Sequence, residues 1–138
     1  MSLLAPLARI GPNALTRPFW DACRRRELRI QRCEACGRFC HPPLSGCPHC
    51  GGTATEWRRL SGEGRIFSYT VVHHPAMPAL ADAVPYVVVV VALDDAPDVH
   101  LISNVLDAPP EAVRVDAPVT LAWDEVGDVV LPRFRLRR

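Results

Sequence analysis

The sequence contains no lysine; all 16 of its basic side chains are arginine, a uniform avoidance that reads as genomic base composition. It lacks a charge excess as well, since 15 acids leave a net charge of +1, so no strong field draws it to nucleic acid or anionic lipid. Long apolar runs are missing. The longest spans 83–93 and is interrupted by Pro85, too short to cross a bilayer. Aromatic residues make up only 7%. No basic residue precedes the apolar stretch of MSLLAPLARIG, so no secretory signal is expected and a reducing, cytoplasmic setting is. Catalytic signatures are absent too: there is no GxSxG, HExxH, Walker loop or GxGxxG.

What is present is organised. The 138 residues suffice for one ordinary domain or two fused small modules, and 14 prolines argue against long helices. Charge separates the chain into a basic part and an acidic part. Residues 1–65 hold 11 Arg against 5 acids, residues 66–132 hold Arg114 against 10 acids, and RFRLRR closes with four Arg. Residues 1–15 read as an arm. Thr16 is placed to cap a short helix beginning at Arg17–Pro18, and Phe19, Trp20 and Cys23 give that helix a narrow apolar edge suited to docking. Residues 28–60 read as short strands around two turns, CEACG and CPHCG, closed by TEWRRL. After the SGEG turn at 61–64 the pattern is nearly all strand: 65–74, 85–94, 99–106, 118–125 and 128–135, with a helical turn at 109–113. Five strands with a helical insert between the third and fourth is the element order of an oligonucleotide/oligosaccharide-binding (OB) barrel. The expected fold is therefore mainly β: an N-terminal arm and helix (1–27), a metal ribbon (28–60) and a five-stranded OB barrel with a basic tail (61–138). The alternation places Phe67, Tyr69, Val71, Val88, Val90, Leu101, Val105, Leu121 and Trp123 in the barrel core.

Five of the six cysteines fall between Cys33 and Cys50, and four form two CxxC pairs, Cys33/Cys36 and Cys47/Cys50, ten residues apart. Gly37 and Gly51 follow the pairs, where the chain must curl so that backbone N–H groups face sulfur. Four thiolates at tetrahedral positions suit zinc at about 2.3 Å per bond, and with all four positions filled by protein the metal is structural. About 33 residues bury too little apolar surface to fold alone, so the metal takes the place of a core. The same CxxCG…CPxCG form also resembles rubredoxin, so iron remains the alternative. Cys40, His41 and His49 are spare. Cys23 precedes Arg24, Arg25 and Arg26, which could make it a reactive thiolate, against the plainer expectation that it packs. His73 and His74, at a strand end before a proline-bounded loop, are candidates for ligand contact. Asp94, Asp95, Asp98, Asp124, Glu125 and Asp128 at strand ends read as turn chemistry.

Taken together, PFWDACRRRELRIQRCEACGRFCHPP, CPHCGG, EWRRLSGEGRIFSYTVVHHP, PYVVVVVALDD and LPRFR resemble the domain-of-unknown-function 35 family, from about Thr16 to Arg135. Cys40 is an addition to that pattern. The resemblance implies a rubredoxin-like zinc ribbon followed by an OB barrel. It implies a non-catalytic companion of acyl-CoA enzymes: thiolases, side-chain aldolases of steroid degradation, or MaoC-type enoyl-CoA hydratases. A thiolase-fold partner in a 2:2 assembly, CoA bordering this chain, and partner contacts through Phe19, Trp20, Met77 and Leu80 are the corresponding expectations. Single-stranded nucleic-acid binding, to which ribbons and OB barrels both lend themselves, is the competing class; the acidic barrel opposes it. An iron electron carrier and a free-standing CoA enzyme using His73 or His74 are further alternatives.

Overall fold

The computed structural model describes residues 10–138; the expected arm therefore lies mostly outside the described residues. One α-helix precedes two antiparallel sheets. Helix α1 (Arg17–Arg24) begins with Pro18 in its first turn, where a missing N–H costs nothing. Thr16 makes no side-chain cap. Instead Asn13 Oδ1 accepts from the N–H groups of Leu15 and Thr16, while Thr16 Oγ1 accepts from Asn13 N–H. The helix ends in a left-handed residue, Arg26 (φ 59°), with Glu27 N–H closing back on Ala22 O at 2.9 Å. Phe19, Ala22 and Cys23 form its buried face, set against β1 and β8.

The first sheet, in the order β2-β1-β3, comprises β1 (Leu28–Cys33), β2 (Phe39–Cys40) and β3 (Thr55–Leu60). The second contains β4 (Glu63–Val72), β5 (Tyr86–Leu93), β6 (Ala96–Asn104), β7 (Pro118–Val126) and β8 (Val129–Leu136), in the order β6-β5-β4-β7-β8. A short 3-10 turn, Pro110–Ala112, stands where the helical insert is expected. The sheet curls until β6 meets β8 through a parallel bridge, Val105 to Phe134, with Leu106 N–H donating to Phe134 O at 2.8 Å. Closure is partial. β4 pairs with β7 only over Glu63–Arg65, and beyond that the two strands part. The result is an OB-type half-barrel.

The turn between the sheets requires glycine. Gly62 has φ +85°, and a Cβ there would meet Leu121 Cβ at 2.6 Å. One hydrophobic cluster runs through all parts of the chain: Phe19 and Cys23 from the helix, Leu28, Ile30 and Leu60 from the ribbon, Ile66, Val89, Val91 and Phe134 from the barrel. Each such aliphatic or aromatic side chain contributes about 1.5–3 kcal/mol by leaving water.

The expected barrel core needs correction at several positions. Leu101 and Val105 are buried, and Val71, Leu121 and Trp123 pack partly buried against the cluster. Phe67, however, is 56% exposed and Tyr69 38%. Among the five valines it is Val87, Val89 and Val91 that are buried, while Val88 and Val90 are half-buried. The cause is a β-bulge: the register jumps between Ile66 and Ser68, leaving Phe67 as the extra residue. After the jump Tyr69 and Val71 share rows with Val89 and Val87, and Phe67, Ser68 and Thr70 turn outward. Tyr69 stays half-open because β7 has already parted from β4 at that level.

Candidate metal centre and neighbouring surfaces

Two turns of the ribbon bring four sulfurs together. In the first, Gly37 N–H donates to Cys33 O at 2.9 Å; in the second, Gly51 N–H donates to Cys47 O at 2.9 Å. Both glycines are left-handed, with φ of 79° and 76°. Each turn curls so that amides face sulfur, as His49 N–H does toward Cys47 Sγ and Gly52 N–H toward Cys50 Sγ, both at 3.4 Å. The sulfurs of Cys33, Cys36, Cys47 and Cys50 all lie within 4.8 Å of one another. Cys33–Cys50 and Cys36–Cys47 are separated by 3.6 Å, so neither pair is a disulfide. A tetrahedron with Zn–S bonds of about 2.3 Å has edges of about 3.8 Å, so the donor set and its spacing fit a tetrahedral thiophilic ion.

The electrostatics prepare the sulfurs for that charge. Backbone N–H groups of Cys50 and His49 bring the Cys47 thiol down to about 6, and the N–H of Cys36 leads in lowering Cys33. Cys50 also receives an amide, from Gly52, but the other three sulfurs crowd negative charge around it and push it up to about 11. Without a cation the cluster therefore resists full ionisation; a divalent ion resolves that repulsion.

Side chains outside the cluster hold the turns in place. Arg32 donates from Nε to Gly37 O (3.0 Å) and from Nη1 to Glu56 Oε1 (2.8 Å), tying the first turn to β3. Arg38 Nη1 donates to His49 Nδ1 at 2.9 Å, joining the two turns and giving His49 a structural place. The buried amide of Gln31 clasps Leu44 in both directions at 2.9 Å.

The remaining sequence candidates separate clearly. Cys23 is fully buried, and burial pushes its thiol up to about 12, so the reactive-thiolate alternative is overturned despite its three arginine neighbours. Cys40 is half-buried, its thiol raised by burial and by Cys47, and it donates to Pro42 O at 3.4 Å. His73 and His74 are exposed just beyond β4. Of the expected partner contacts, Phe19 (5% exposed) and Leu80 (1%) are spent inside this chain; Trp20 is half-buried and Met77 is exposed. Nor are the strand-end carboxylates uniform turn residues. Asp124 is buried and ion-paired with Arg133, whose Nη1 donates to Asn104 Oδ1 at 2.8 Å; Asn104 in turn donates to Val87 O. This network, drawn from β5, β6, β7 and β8, has no local sequence signature.

At the seam where β6 and β8 part, α1 and the ribbon loop enclose a cleft of about 320 Å³. Trp20, His41, Pro42, Ile102, Leu131 and Pro132 are among its walls. His41 packs its ring on Phe19 (5.3 Å between centroids), and its Nδ1 is buried without a hydrogen-bond partner. Burial holds its pKa below the ordinary value near 6.5. No helix among the described residues is long and apolar enough to cross a membrane.

Comparison with known proteins places this geometry. Residues 20–56 match the rubredoxin-like zinc ribbon domain of ChsH2, and residues 57–124 match the ChsH2 C-terminal OB-fold domain. A probable enoyl-CoA hydratase alpha subunit of Thermomonospora curvata is 40% identical over 85% of this chain, which spans 36% of that relative. The 3-oxo-4,17-pregnadiene-20-carboxyl-CoA hydratase alpha subunit of Mycobacterium tuberculosis is 31% identical over 86% of this chain and 39% of its own length. This chain thus spans little more than a third of those two subunits. A DUF35 domain-containing scaffold protein of Methanothermobacter thermautotrophicus is 31% identical over 75% of this chain and 76% of its own. Among solved structures, a chain of the Ltp2-ChsH2(DUF35) aldolase superposes with a TM-score of 0.83 at 36% identity, covering 93% of this chain and 98% of that one. With a zinc ribbon carrying four clustered cysteines and an OB-type half-barrel joined in one chain, this protein belongs to the DUF35 family of ChsH2 type.

Proposed function

We propose that the chain is a non-catalytic, zinc-bearing accessory subunit of an acyl-CoA-processing enzyme of thiolase fold, of the aldolase type that shortens steroid or lipid side chains. In this reading it stabilises the catalytic partner in a 2:2 assembly and borders its CoA site. Cys33, Cys36, Cys47 and Cys50 hold one structural zinc. The division into arm and helix (1–27), ribbon (28–60) and barrel (61–138) is part of the same proposal. So are contacts from Trp20 and Met77 to the partner and from the exposed His73 and His74 to the thioester ligand. The observation that carries the reading is the end-to-end match to the chain of the Ltp2-ChsH2(DUF35) aldolase, of which 98% is covered. A hydratase of MaoC type is the second reading, favoured by the 40% identity to a hydratase alpha subunit.

The test is co-expression with an Ltp2-type aldolase subunit and, separately, with an enoyl-CoA hydratase subunit, followed by turnover of an acyl-CoA thioester by each component alone and together. Activity and a stable complex are expected only with both chains present. Full turnover by this chain alone would overturn the accessory role. Full turnover and undiminished stability of both enzymes without it would overturn the partnership.

A further inference from the structure

Between Ile66 and Leu93 the sequence carries one charged side chain, Asp82, against the six or so that a 22% charged chain would place there. That stretch forms β4 from Ile66 onward, the following loop and β5, and its outer face is open to solvent. The bulge turns Phe67 outward, where its ring stacks on His100 of β6 at 4.3 Å with 22° between planes. The next row is Ser68, Val90 and Ile102, and Ile102 is 71% exposed. Ile102 also lines the 320 Å³ cleft beside Trp20 and His41, so the flat patch runs without a break into a concave, largely apolar slot. An exposed aromatic and an exposed β-branched residue on one sheet face, continuous with a cleft, form the anatomy of an interface with an anchor pocket.

We propose that this outer face of β4, β5 and β6, together with the seam cleft, is the surface on which the catalytic subunit of the acyl-CoA enzyme docks; the occupant rests on the function proposed above. The chemistry selects a protein. The face carries no stripe of free cations for a phosphate backbone or lipid headgroup: Arg65, at the start of β4, is turned to Asp116 O at 2.9 Å, Arg133 at the cleft is paired with Asp124, and β6 carries a single carboxylate, Asp98. Neutral, apolar faces belong to standing complexes more than to transient, electrostatically steered ones. An enzyme chain is favoured over a second copy because the hydratase alpha subunits carry a matching segment within a chain nearly three times as long, joined covalently to further protein. Helix α1, whose apolar side is already buried, contributes Phe19 and Trp20 to the wall of the slot.

The experiment compares wild type, Ile102→Glu, Phe67→Glu and a control, Leu15→Glu, each co-expressed with the Ltp2-type aldolase subunit, with affinity measured by titration of the separated chains. Zinc content and thermal midpoint confirm that each variant is folded. Ile102→Glu or Phe67→Glu is expected to weaken the complex by about 30-fold or more, the scale of a hot-spot residue, while Leu15→Glu leaves it intact. A photo-crosslinking side chain at position 102 should capture the aldolase chain. If wild type binds the enzyme and both sheet variants bind as tightly, the surface is wrong while the accessory role survives. If wild type binds neither aldolase nor hydratase, the accessory role fails; a self-associated dimer broken by Ile102→Glu, or crosslinking to nucleic acid, would then overturn the named occupant.

Discussion

At the scale of single residues, the metal site is assembled from two local turns that each bring a pair of sulfurs together. The four zinc-ribbon cysteines announce themselves because each CxxC turn is a five-residue structure whose glycine and amides are fixed by neighbours in the chain. Gln31 and Arg133 did not announce themselves, because their partners lie nine or more residues away, and His41 did not because its buried Nδ1 has no hydrogen-bond partner. His41 leads to a prediction about pH. In the folded chain burial holds its imidazole neutral below the ordinary range, whereas in the unfolded chain it takes up a proton near pH 6.5. As pH falls through 6.5 the unfolded state therefore binds more protons than the folded one, and stability falls until the lower folded value is passed. His41→Phe keeps a ring against Phe19 and removes the titration. Urea midpoints at pH 7.5, 6.5 and 5.5 should fall more steeply for wild type than for His41→Phe. Parallel curves would mean that the buried ring does not set the acid limb.

At the scale of elements, strand existence was legible and strand phase was not. A run of five valines has no alternation to read, and a one-residue bulge at Phe67 breaks the phase of β4, so that Ile66 is buried and Phe67 exposed against a strict alternation that Tyr69 and Val71 still follow. The end of α1 was equally hidden: an arginine, not a glycine, takes the left-handed position. The SGEG turn, by contrast, was visible, and the structure explains its glycine. At Gly62 the backbone is left-handed and the missing Cβ makes room for Leu121, whose N–H donates to Gly62 O at 2.9 Å. Gly62→Ala should destabilise by at least about 1–3 kcal/mol from backbone strain alone, with the contact against Leu121 adding to it. Equilibrium denaturation measures this directly, and a neutral substitution would show that the link between ribbon and barrel tolerates movement.

At the scale of the whole molecule, two hydrogen-bonded sheets share one core. No ladder runs from β1 or β3 into the barrel, yet Leu28, Ile30 and Leu60 sit in the same cluster as Ile66, Val89 and Phe134. Backbone connectivity therefore predicts independence, and side-chain packing predicts coupling. Removing the metal separates the two. Cys36→Ser takes away one of four sulfur donors, so stoichiometric zinc should be lost and the ribbon, which has little core of its own, should unravel. The five-stranded sheet keeps its own hydrogen bonds, so most of the far-UV β signal should remain. It loses the cover of α1 and β1, so the remaining transition should move down by about 4 °C for each kcal/mol of cover lost. Chelation of the wild type should reproduce both effects, and added zinc should reverse them, because an ion bound only by the folded state stabilises by mass action. An unchanged midpoint after zinc loss would show that the shared cluster carries no coupling. Loss of all β signal would show that the half-barrel stands only with the ribbon in place. Stoichiometric iron in the purified native protein would replace zinc in this argument and leave the coupling between ribbon and barrel to be tested in the same way.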